Sequence, residues 1–373
     1  MLIGVPKEIK PDEYRIGLTP ESVLALTEAG HEVMILTEAG HGIGKTDEEY
    51  INSGAVIAET REEIFDRAEM IIKVKEPQLD ECALLKEDQI LFTYLHLAPD
   101  PEQIKALIAS GSKAIAYESV KANDGSYPLL TPMSEVAGRM AVQAGASCLE
   151  KAKGGRGLLM GGVTGVEPAK VVVIGGGVVG INAIEIAIGM QANVTVLDKS
   201  ATRLDYLESV FGDRLNAVLA NDQNNTAFIE AADLVIGAVL IPGASAPKII
   251  SRKMIKSMKP GSVIVDVAID QGGCCETSRP TTHSEPTYLE EDVIHYCVAN
   301  MPGAVPLTSA YALNEVTLPY ILKLANNGFT AALRDDPGFC EGLSVCNGHL
   351  TIAAVAEEHG YKYISPMELI NQG

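Results

Sequence analysis

The sequence predicts an α/β protein built from two doubly wound parallel sheets. Apolar segments of strand length alternate with helical segments through the first third of the chain, and the alternation repeats through the middle third. A glycine-rich turn at residues 175–177 joins a β-branched strand to an apolar helix. Strands that alternate with helices pair in parallel. The chain has 373 residues, 47% of them hydrophobic, which is enough for two domains with cores of their own.

The first third is predicted to form strand–helix units, beginning with a short apolar strand at residues 2–5. Thr19 and Pro20 then start a helix, because Thr is a good N-cap and Pro suits the first helical turn. That helix is predicted to end at Gly30. The later strands of this part are predicted at residues 32–37, 55–58, 70–75, 90–96 and 113–117, with a helix at 101–108.

The middle third repeats the pattern more clearly. A helix is predicted near residues 134–151, and a glycine-rich loop follows it at 154–165. Six strands are predicted, at residues 170–174, 193–197, 217–220, 234–237, 262–267 and 294–298. The helices between them are predicted at 178–190, 202–210, 226–231 and 251–258.

The turn after the first of these strands matches the dinucleotide-binding pattern G-x-G-x-x-G at Gly175, Gly177 and Gly180. The pattern alone is weak, but here a β-branched strand precedes it and an apolar helix follows. Gly175 would permit the tight turn, Gly177 would let a pyrophosphate approach the backbone, and Gly180 would allow close helix–strand packing. Val178 and Val179 begin the helix whose N–H groups would face the phosphates.

An acidic residue, Asp198, ends the next strand, where such a side chain hydrogen-bonds the ribose hydroxyls of adenosine. The same carboxylate would repel a 2′-phosphate, which favours NAD over NADP. Arg203 is close in sequence and argues for NADP, but Asp198 weakens that case. The middle third is therefore predicted to be a Rossmann domain that binds NAD.

After Pro302 no strand pattern is visible, and the tail is predicted to be helical at residues 307–326, 348–359 and 366–371. A helical tail that follows a complete nucleotide-binding domain often packs back on the first domain. The sequence therefore predicts a discontinuous catalytic domain of residues 1–132 and 306–373, with the NAD-binding domain, 133–305, inserted into it.

Charge and cysteine content limit the possible partners. The formal net charge is −20, which repels phosphate backbones and anionic lipids, so neither nucleic acid nor a membrane is an expected partner. The seven cysteines are not spaced as metal ligands. Cys274 and Cys275 are adjacent, which is poor geometry for binding one metal together or for forming a relaxed disulfide. No metal is expected. The N-terminal residues lack a signal-peptide layout, so the expected location is the cytoplasm.

Several longer motifs resemble the alanine dehydrogenase/transhydrogenase α-subunit family, and the resemblance covers essentially the whole chain. They are GVPKE at residues 4–8 followed by Arg15, KVKEP at 73–77, YLHL at 94–97, DVAIDQGG at 266–273 and NMPG at 300–303. The resemblance implies NAD-dependent conversion of L-alanine to pyruvate and ammonium. It also implies a homo-hexamer.

The resemblance assigns roles that the chemistry of amino-acid oxidation requires. Arg15 would clamp the substrate carboxylate, since its planar fork matches carboxylate geometry. Lys75 would hydrogen-bond the carbonyl oxygen or amine, while Lys73 is expected to be an ordinary solvated strand-end lysine. His96 would be the catalytic acid–base. Asp270 would position water or shuttle a proton, or hold the nicotinamide ribose.

Further cofactor contacts are carried over by motif position, and Asn300 would also touch the substrate. The remaining contacts would come from Ser134, Val239, Leu240, Val267, Arg279, Val298 and Met301.

Three other functions share parts of this pattern. A transhydrogenase subunit would share the nucleotide domain but would need membrane-embedded partner chains. A saccharopine-type dehydrogenase would need room for a longer substrate. A non-catalytic NAD sensor would not need both Lys75 and His96, which are present.

Overall fold

The computed structural model of the chain describes residues 1–239 and 246–372. The chain separates into two compact units. Unit 1 comprises Met1–Met133 and Val305–Gly373, and unit 2 comprises Ser134–Ala304. Each unit is built on its own mainly parallel sheet.

The strands, in chain order, are β1 (Leu2–Val5), β2 (Glu32–Leu36), β3 (Val56–Ala58), β4 (Met70–Ile72), β5 (Ile90–Thr93), β6 (Lys113–Ala116), β7 (Lys170–Ile174), β8 (Asn193–Asp198), β9 (Leu215–Leu219), β10 (Leu234–Gly237), β11 (Val263–Asp266), β12 (Thr287–Glu290), β13 (Val293–Tyr296), β14 (Leu343–Cys346) and β15 (His349–Leu350).

The α-helices, in chain order, are α1 (Pro20–Glu28), α2 (Asp47–Asn52), α3 (Arg61–Arg67), α4 (Leu79–Cys82), α5 (Pro101–Ser110), α6 (Thr131–Cys148), α7 (Val178–Gly189), α8 (Ala201–Phe211), α9 (Asp222–Ala231), α10 (Arg252–Ser257), α11 (Pro306–Asn327), α12 (Phe329–Arg334), α13 (Pro337–Cys340), α14 (Ala353–His359) and α15 (Pro366–Gln372). No described helix is long and apolar enough to cross a membrane.

The sheet of unit 1 runs in the order β15-β14-β6-β5-β4-β1-β2-β3. Strands β1 to β6 pair in parallel, whereas β14 lies antiparallel to β6. The order reverses between β1 and β4, and such a switch point is where open α/β sheets bind ligands. The prediction that strands stop after Pro302 was wrong, because β14 and β15 lie in the tail. Both pair antiparallel, outside the strand–helix alternation on which the prediction rested.

The ends of helices and strands in unit 1 were predicted correctly in some places and wrongly in others. The predicted start of α1 is confirmed, since Thr19 caps it with its side chain and Pro20 begins it. The strands predicted at residues 70–75 and 90–96 were too long. β4 ends at Ile72 and β5 ends at Thr93, so Lys75 and His96 lie in the loops that follow the strands.

The sheet of unit 2 runs in the order β12-β13-β11-β10-β7-β8-β9. All its pairs are parallel except β12 with β13, and β12 was not predicted. The order reverses between β7 and β10. The central strands β7, β10 and β11 are rich in Val and Ile and are almost wholly buried, as expected for strands covered on both faces.

Candidate active site

Four adjacent strands of unit 1 each lead into a loop that carries a charged or ionisable residue. β6, β5, β4 and β1 are neighbours and run in parallel, so their carboxyl ends share one edge of the sheet. Arg15 follows β1, Lys75 follows β4, His96 follows β5 and Glu118 follows β6. Arg15 and Lys75 therefore come from the two strands that flank the switch point.

Arg15 is only 3% exposed and is held by Glu13, which sequence reasoning missed. The Glu13 carboxylate accepts hydrogen bonds from Arg15 Nε at 2.7 Å and Nη2 at 2.5 Å, and from the Arg15 backbone N–H at 3.0 Å. Burial acts to lower the Arg15 pKa, but the hydrogen bonds and charge of Glu13 outweigh it, and the pKa is raised. Arg15 is thus a fixed cation at the sheet edge.

Lys73 is not the solvated lysine that the sequence suggested, because it is fully buried. Its Nζ donates to Glu8 at 3.1 Å and to Glu81 at 2.9 Å. Burial lowers the Lys73 pKa, but the two carboxylates raise it above the ordinary value. Alternation along one strand cannot show that carboxylates from two other segments, those of Glu8 and Glu81, lie beside Lys73.

Glu8 connects this buried cluster to Lys75. Its Oε1 accepts the backbone N–H groups of Val74 at 2.7 Å and Lys75 at 3.4 Å, while Oε2 faces Lys73. Burial raises the pKa of Glu8, and the nearby Lys73 charge opposes the increase. Glu8 lies within the GVPKE motif, which was the one sequence signal that could have identified it.

His96 is exposed and has a left-handed backbone, with φ at 48°. Its backbone N–H donates to Glu118 at 2.7 Å. The imidazole stacks on the ring of Tyr94, with the ring centroids 5.8 Å apart and an interplanar angle of 9°. Tyr94 is itself buried, and its hydroxyl donates a hydrogen bond to Leu129 O. The ring on which the imidazole stacks is therefore held in position.

In unit 2, the glycine-rich turn follows β7, and each of its three motif glycines has a different steric environment. Gly175 has φ at 97°, and a Cβ there would lie 2.8 Å from Ala238 O. A Cβ on Gly180 would lie 1.9 Å from Gly175 O. Gly177 is exposed, and a Cβ there would meet nothing within 4 Å. The turn thus needs glycine at two positions and leaves open space at the third.

Asp198 ends β8 and binds the turn. Its Oδ2 accepts the Gly176 N–H at 2.7 Å, and its Oδ1 accepts the Ser200 N–H at 2.8 Å. Arg203 also faces the turn, since its Nε donates to Gly176 O and its guanidinium lies over the Tyr206 ring. The half-buried Asp198 carboxylate and the exposed first turn of α7, at Val178, border the same loop.

Asp270 lies on a 3-10 turn, Val267–Gln271, directly after β11. Asp270 is exposed, and its Oδ1 accepts the Asn300 N–H at 3.3 Å. Buried Asp266 caps this turn by accepting the Ala268 N–H. The structure therefore brings the two predicted residues Asp270 and Asn300 together.

The other predicted cofactor residues are spread over several elements of unit 2. Ser134 is in the first turns of α6, Val239 follows β10, and Arg279 stacks over the Tyr288 ring at 4.0 Å. Buried Val298 forms a bridge with Thr281, and buried Met301 starts another 3-10 turn. Leu240 lies outside the described residues.

Cys274 and Cys275 follow the Asp270 turn in the chain and are buried. Together with Asp266 they form the one group among the described residues whose potential ligand atoms, within 4.8 Å of each other, could hold a metal. Asp266 already accepts the backbone N–H groups of Cys274 and Cys275 and the hydroxyl of Ser278. Burial raises the pKa of the Cys275 thiol well above its usual value, whereas metals bind thiolates. Asp266 therefore holds the loop of residues 274–278 in place through these hydrogen bonds.

Comparisons with known proteins agree on one family. The model for the alanine dehydrogenase/PNT N-terminal domain matches residues 4–137, and the model for its C-terminal domain matches residues 141–353. The chain is 55% identical over 373 residues to the alanine dehydrogenase of Methanococcus maripaludis, covering 100% of each. It is 52% identical to that of Bacillus subtilis, covering 98% of this chain and 96% of the relative.

Solved structures agree on the fold. An L-alanine dehydrogenase structure superposes with a TM-score of 0.94 at 50% identity, covering 96% of this chain and 99% of the other. A transhydrogenase from Sinorhizobium meliloti has a TM-score of 0.81 at 24% identity, covering 95% of this chain and 100% of the other, and shows the shared fold. The predicted α/β class is confirmed.

Proposed function

This chain belongs to the alanine dehydrogenase/PNT family, and from that premise we propose that it catalyses the reversible, NAD-dependent oxidative deamination of L-alanine to pyruvate and ammonium. The observation that carries the proposal is the common sheet edge of unit 1. Three groups suited to an α-amino acid lie in the loops that follow the adjacent strands β1, β4 and β5, namely Arg15, Lys75 and His96.

Each of these groups has a separate task in the proposed reaction. Arg15 binds the substrate carboxylate through its guanidinium, which Glu13 keeps charged and oriented. Lys75 donates to the carbonyl oxygen of pyruvate, or contacts the amine of alanine. The exposed His96 imidazole takes up and returns protons as the substrate imine is hydrolysed, the work for which a histidine is suited near neutral pH.

The residues of unit 2 fit a dinucleotide. Gly177 leaves space at the start of α7, whose first N–H groups have no partner within the helix and so suit a pyrophosphate. Asp198 borders the same turn and would accept the ribose hydroxyls, and its charge disfavours a 2′-phosphate. When bound, NAD supplies the hydride acceptor. Asp270, held near Asn300, would orient the attacking water.

The remaining predicted contacts with the cofactor are proposed on motif position. They are Gly175, Val178, Val179, Gly180, Ser134, Arg203, Val239, Leu240, Val267, Arg279, Val298 and Met301. Asn300 is proposed for both cofactor and substrate. The homo-hexamer implied by the resemblance is likewise proposed, and light scattering of the purified chain would measure it.

The test is NADH formation, followed at 340 nm in alkaline buffer with NAD and L-alanine. Parallel reactions contain serine, valine, lysine or D-alanine. Turnover with L-alanine well above that with the other amino acids would support the proposal, and turnover with lysine would favour a longer substrate. Tight NADH binding without turnover of any amino acid would contradict the proposal and favour a transhydrogenase subunit or a sensor.

A further inference from the structure

The backbone of His96 adopts a conformation that its sequence alone does not favour. His96 has φ at 48°, in the left-handed region that non-glycine residues enter rarely. It comes three residues after the end of β5. A residue held in such a conformation needs interactions from elsewhere in the fold.

The carboxylate of Glu118 supplies these interactions. Its Oε1 accepts the His96 N–H at 2.7 Å, and its two oxygens lie 3.1 and 3.2 Å from the Leu95 N. Successive N–H groups beside a left-handed residue form a concave site for an anion. Here the anion is a side chain of the same unit, and hydrogen bonds to a charged acceptor are stronger than neutral ones.

The sheet register explains why Glu118 is placed to do this. β5 and β6 are parallel, and Thr93 of β5 pairs with Ala116 of β6. Glu118 lies two residues beyond that last pair, on the 3-10 turn Tyr117–Ser119. The loop after β5 therefore passes beside the turn after β6, and the Glu118 side chain reaches across to the Leu95–His96 backbone.

The direction of the His96 side chain depends on this backbone. Among the described residues, none hydrogen-bonds the imidazole, and its ring contact is the stacking on Tyr94. Stacking limits the tilt of the ring, and the Cα–Cβ direction sets the origin from which the side chain's two rotatable bonds place the imidazole. The Cα–Cβ direction is set by the left-handed backbone that Glu118 holds.

We propose that Glu118 is a positioning residue for His96: its carboxylate binds the Leu95 and His96 N–H groups and so aims the imidazole at the substrate. The inference rests on the proposed function, in which His96 exchanges protons with the substrate. Glu118 itself acts only through the backbone.

The experiment is a double-mutant cycle in the full chain. Glu118→Gln keeps one oxygen acceptor but loses the charge, Glu118→Ala removes both, and Glu118→Asp shortens the reach. We expect kcat with L-alanine to fall about tenfold for Gln and about a hundredfold for Ala, within the range that one acid–base group contributes. NADH affinity, measured by fluorescence, is expected to stay within about twofold.

The decisive readout is the same substitution in a His96→Ala background. If Glu118 acts through His96, then Glu118→Ala should cause no further loss there, because residues that act as a unit are non-additive. A general structural defect would multiply the two losses and overturn the proposal. Melting temperatures report folding, and if the Ala variant does not fold, the Gln and Asp variants in the same cycle decide.

Glu69→Gln is the matched control. Glu69 also accepts a backbone N–H, from Leu2 at 2.7 Å, but it precedes β4 and so lies at the opposite edge of the same sheet. The kcat of the Glu69→Gln variant should equal that of the wild type. If His96→Ala loses turnover while Glu118→Ala keeps it, the positioning role alone is overturned. If His96→Ala keeps turnover, both the His96 role and the positioning role are overturned.

Discussion

Unit 1 and unit 2 carry the same order of six parallel strands, and their switch points use different chemistry. In unit 1 the order is β3-β2-β1-β4-β5-β6, and in unit 2 it is β9-β8-β7-β10-β11-β13. The loops after β1 and β4 carry buried ionised side chains, among them Arg15 and Lys73. The loop after β7 carries glycines and the start of a helix.

Under the proposed function, this difference lets one topology bind two kinds of anion. A small carboxylate offers few contacts, so a planar side-chain cation held by a second charge suits it. A pyrophosphate is larger and can be surrounded by backbone N–H groups, which requires that side chains be absent. In this proposal the strand order places each site, and the residues after the strands decide its ligand.

The largest expected effect tests whether catalysis belongs to unit 1. His96→Ala should lower kcat by about two to four powers of ten, the usual contribution of general acid–base catalysis, while NADH affinity barely changes. Steady-state kinetics and NADH fluorescence measure the two effects separately. His349→Ala, another exposed histidine of unit 1, is the control. A His96 variant with wild-type kcat would show that the residue is structural.

The next effect tests the buried charges of unit 1. Lys73→Met leaves Glu8 and Glu81 buried without their cation, and removing one partner of a buried ion pair costs about 3–5 kcal/mol. The free energy of unfolding in urea measures it. Lys86→Met, which breaks the exposed pair with Asp66, should cost about 1 kcal/mol or less. Equal losses for the two variants would contradict the importance of burial.

A third substitution tests the backbone site of unit 2. Gly180→Ala places a Cβ against Gly175 O and must displace the turn, so NADH binding should weaken at least about tenfold, or about 1.4 kcal/mol. Gly189→Ala, in the same helix with nothing within 4 Å of its Cβ, is the matched control and should bind NADH normally. Calorimetry gives both affinities. Unchanged binding for Gly180→Ala would mean that the nucleotide does not use this turn.

The smallest expected effect concerns Asp198, whose carboxylate binds the glycine-rich turn of unit 2. Asp198→Ala should weaken NAD binding and raise the relative use of NADP, by about tenfold if one charge-assisted hydrogen bond is lost. The ratio of kcat/KM for the two cofactors is the measurement. Asp198→Asn keeps an oxygen for the Gly176 N–H and separates charge from turn geometry. An unchanged cofactor ratio in both variants would refute the ribose role.

The sequence predicted much of the fold but few of the residues that hold the site residues in place. The buried parallel strands and Thr19-capped α1 follow from local patterns, and the structure has them. The strands β12, β14 and β15 were missed, because they pair antiparallel, outside the strand–helix alternation on which the prediction rested. Lys75 and His96 were predicted as strand ends and lie in loops instead, since the strands stop where sheet pairing stops.

By itself, the sequence determined the features that depend on neighbouring residues: the positive φ that Gly175 allows in the turn after β7, the cap of α1 by Thr19, and the β-branched runs that become central strands. The tertiary structure alone decided which charges meet. Glu8 reaches Lys73 across 65 residues of chain, and Glu118 reaches His96 across 22. The physical reason is range: backbone and capping preferences act between residues near each other in sequence, whereas a buried charge finds its partner only after the sheet has brought distant loops to one edge.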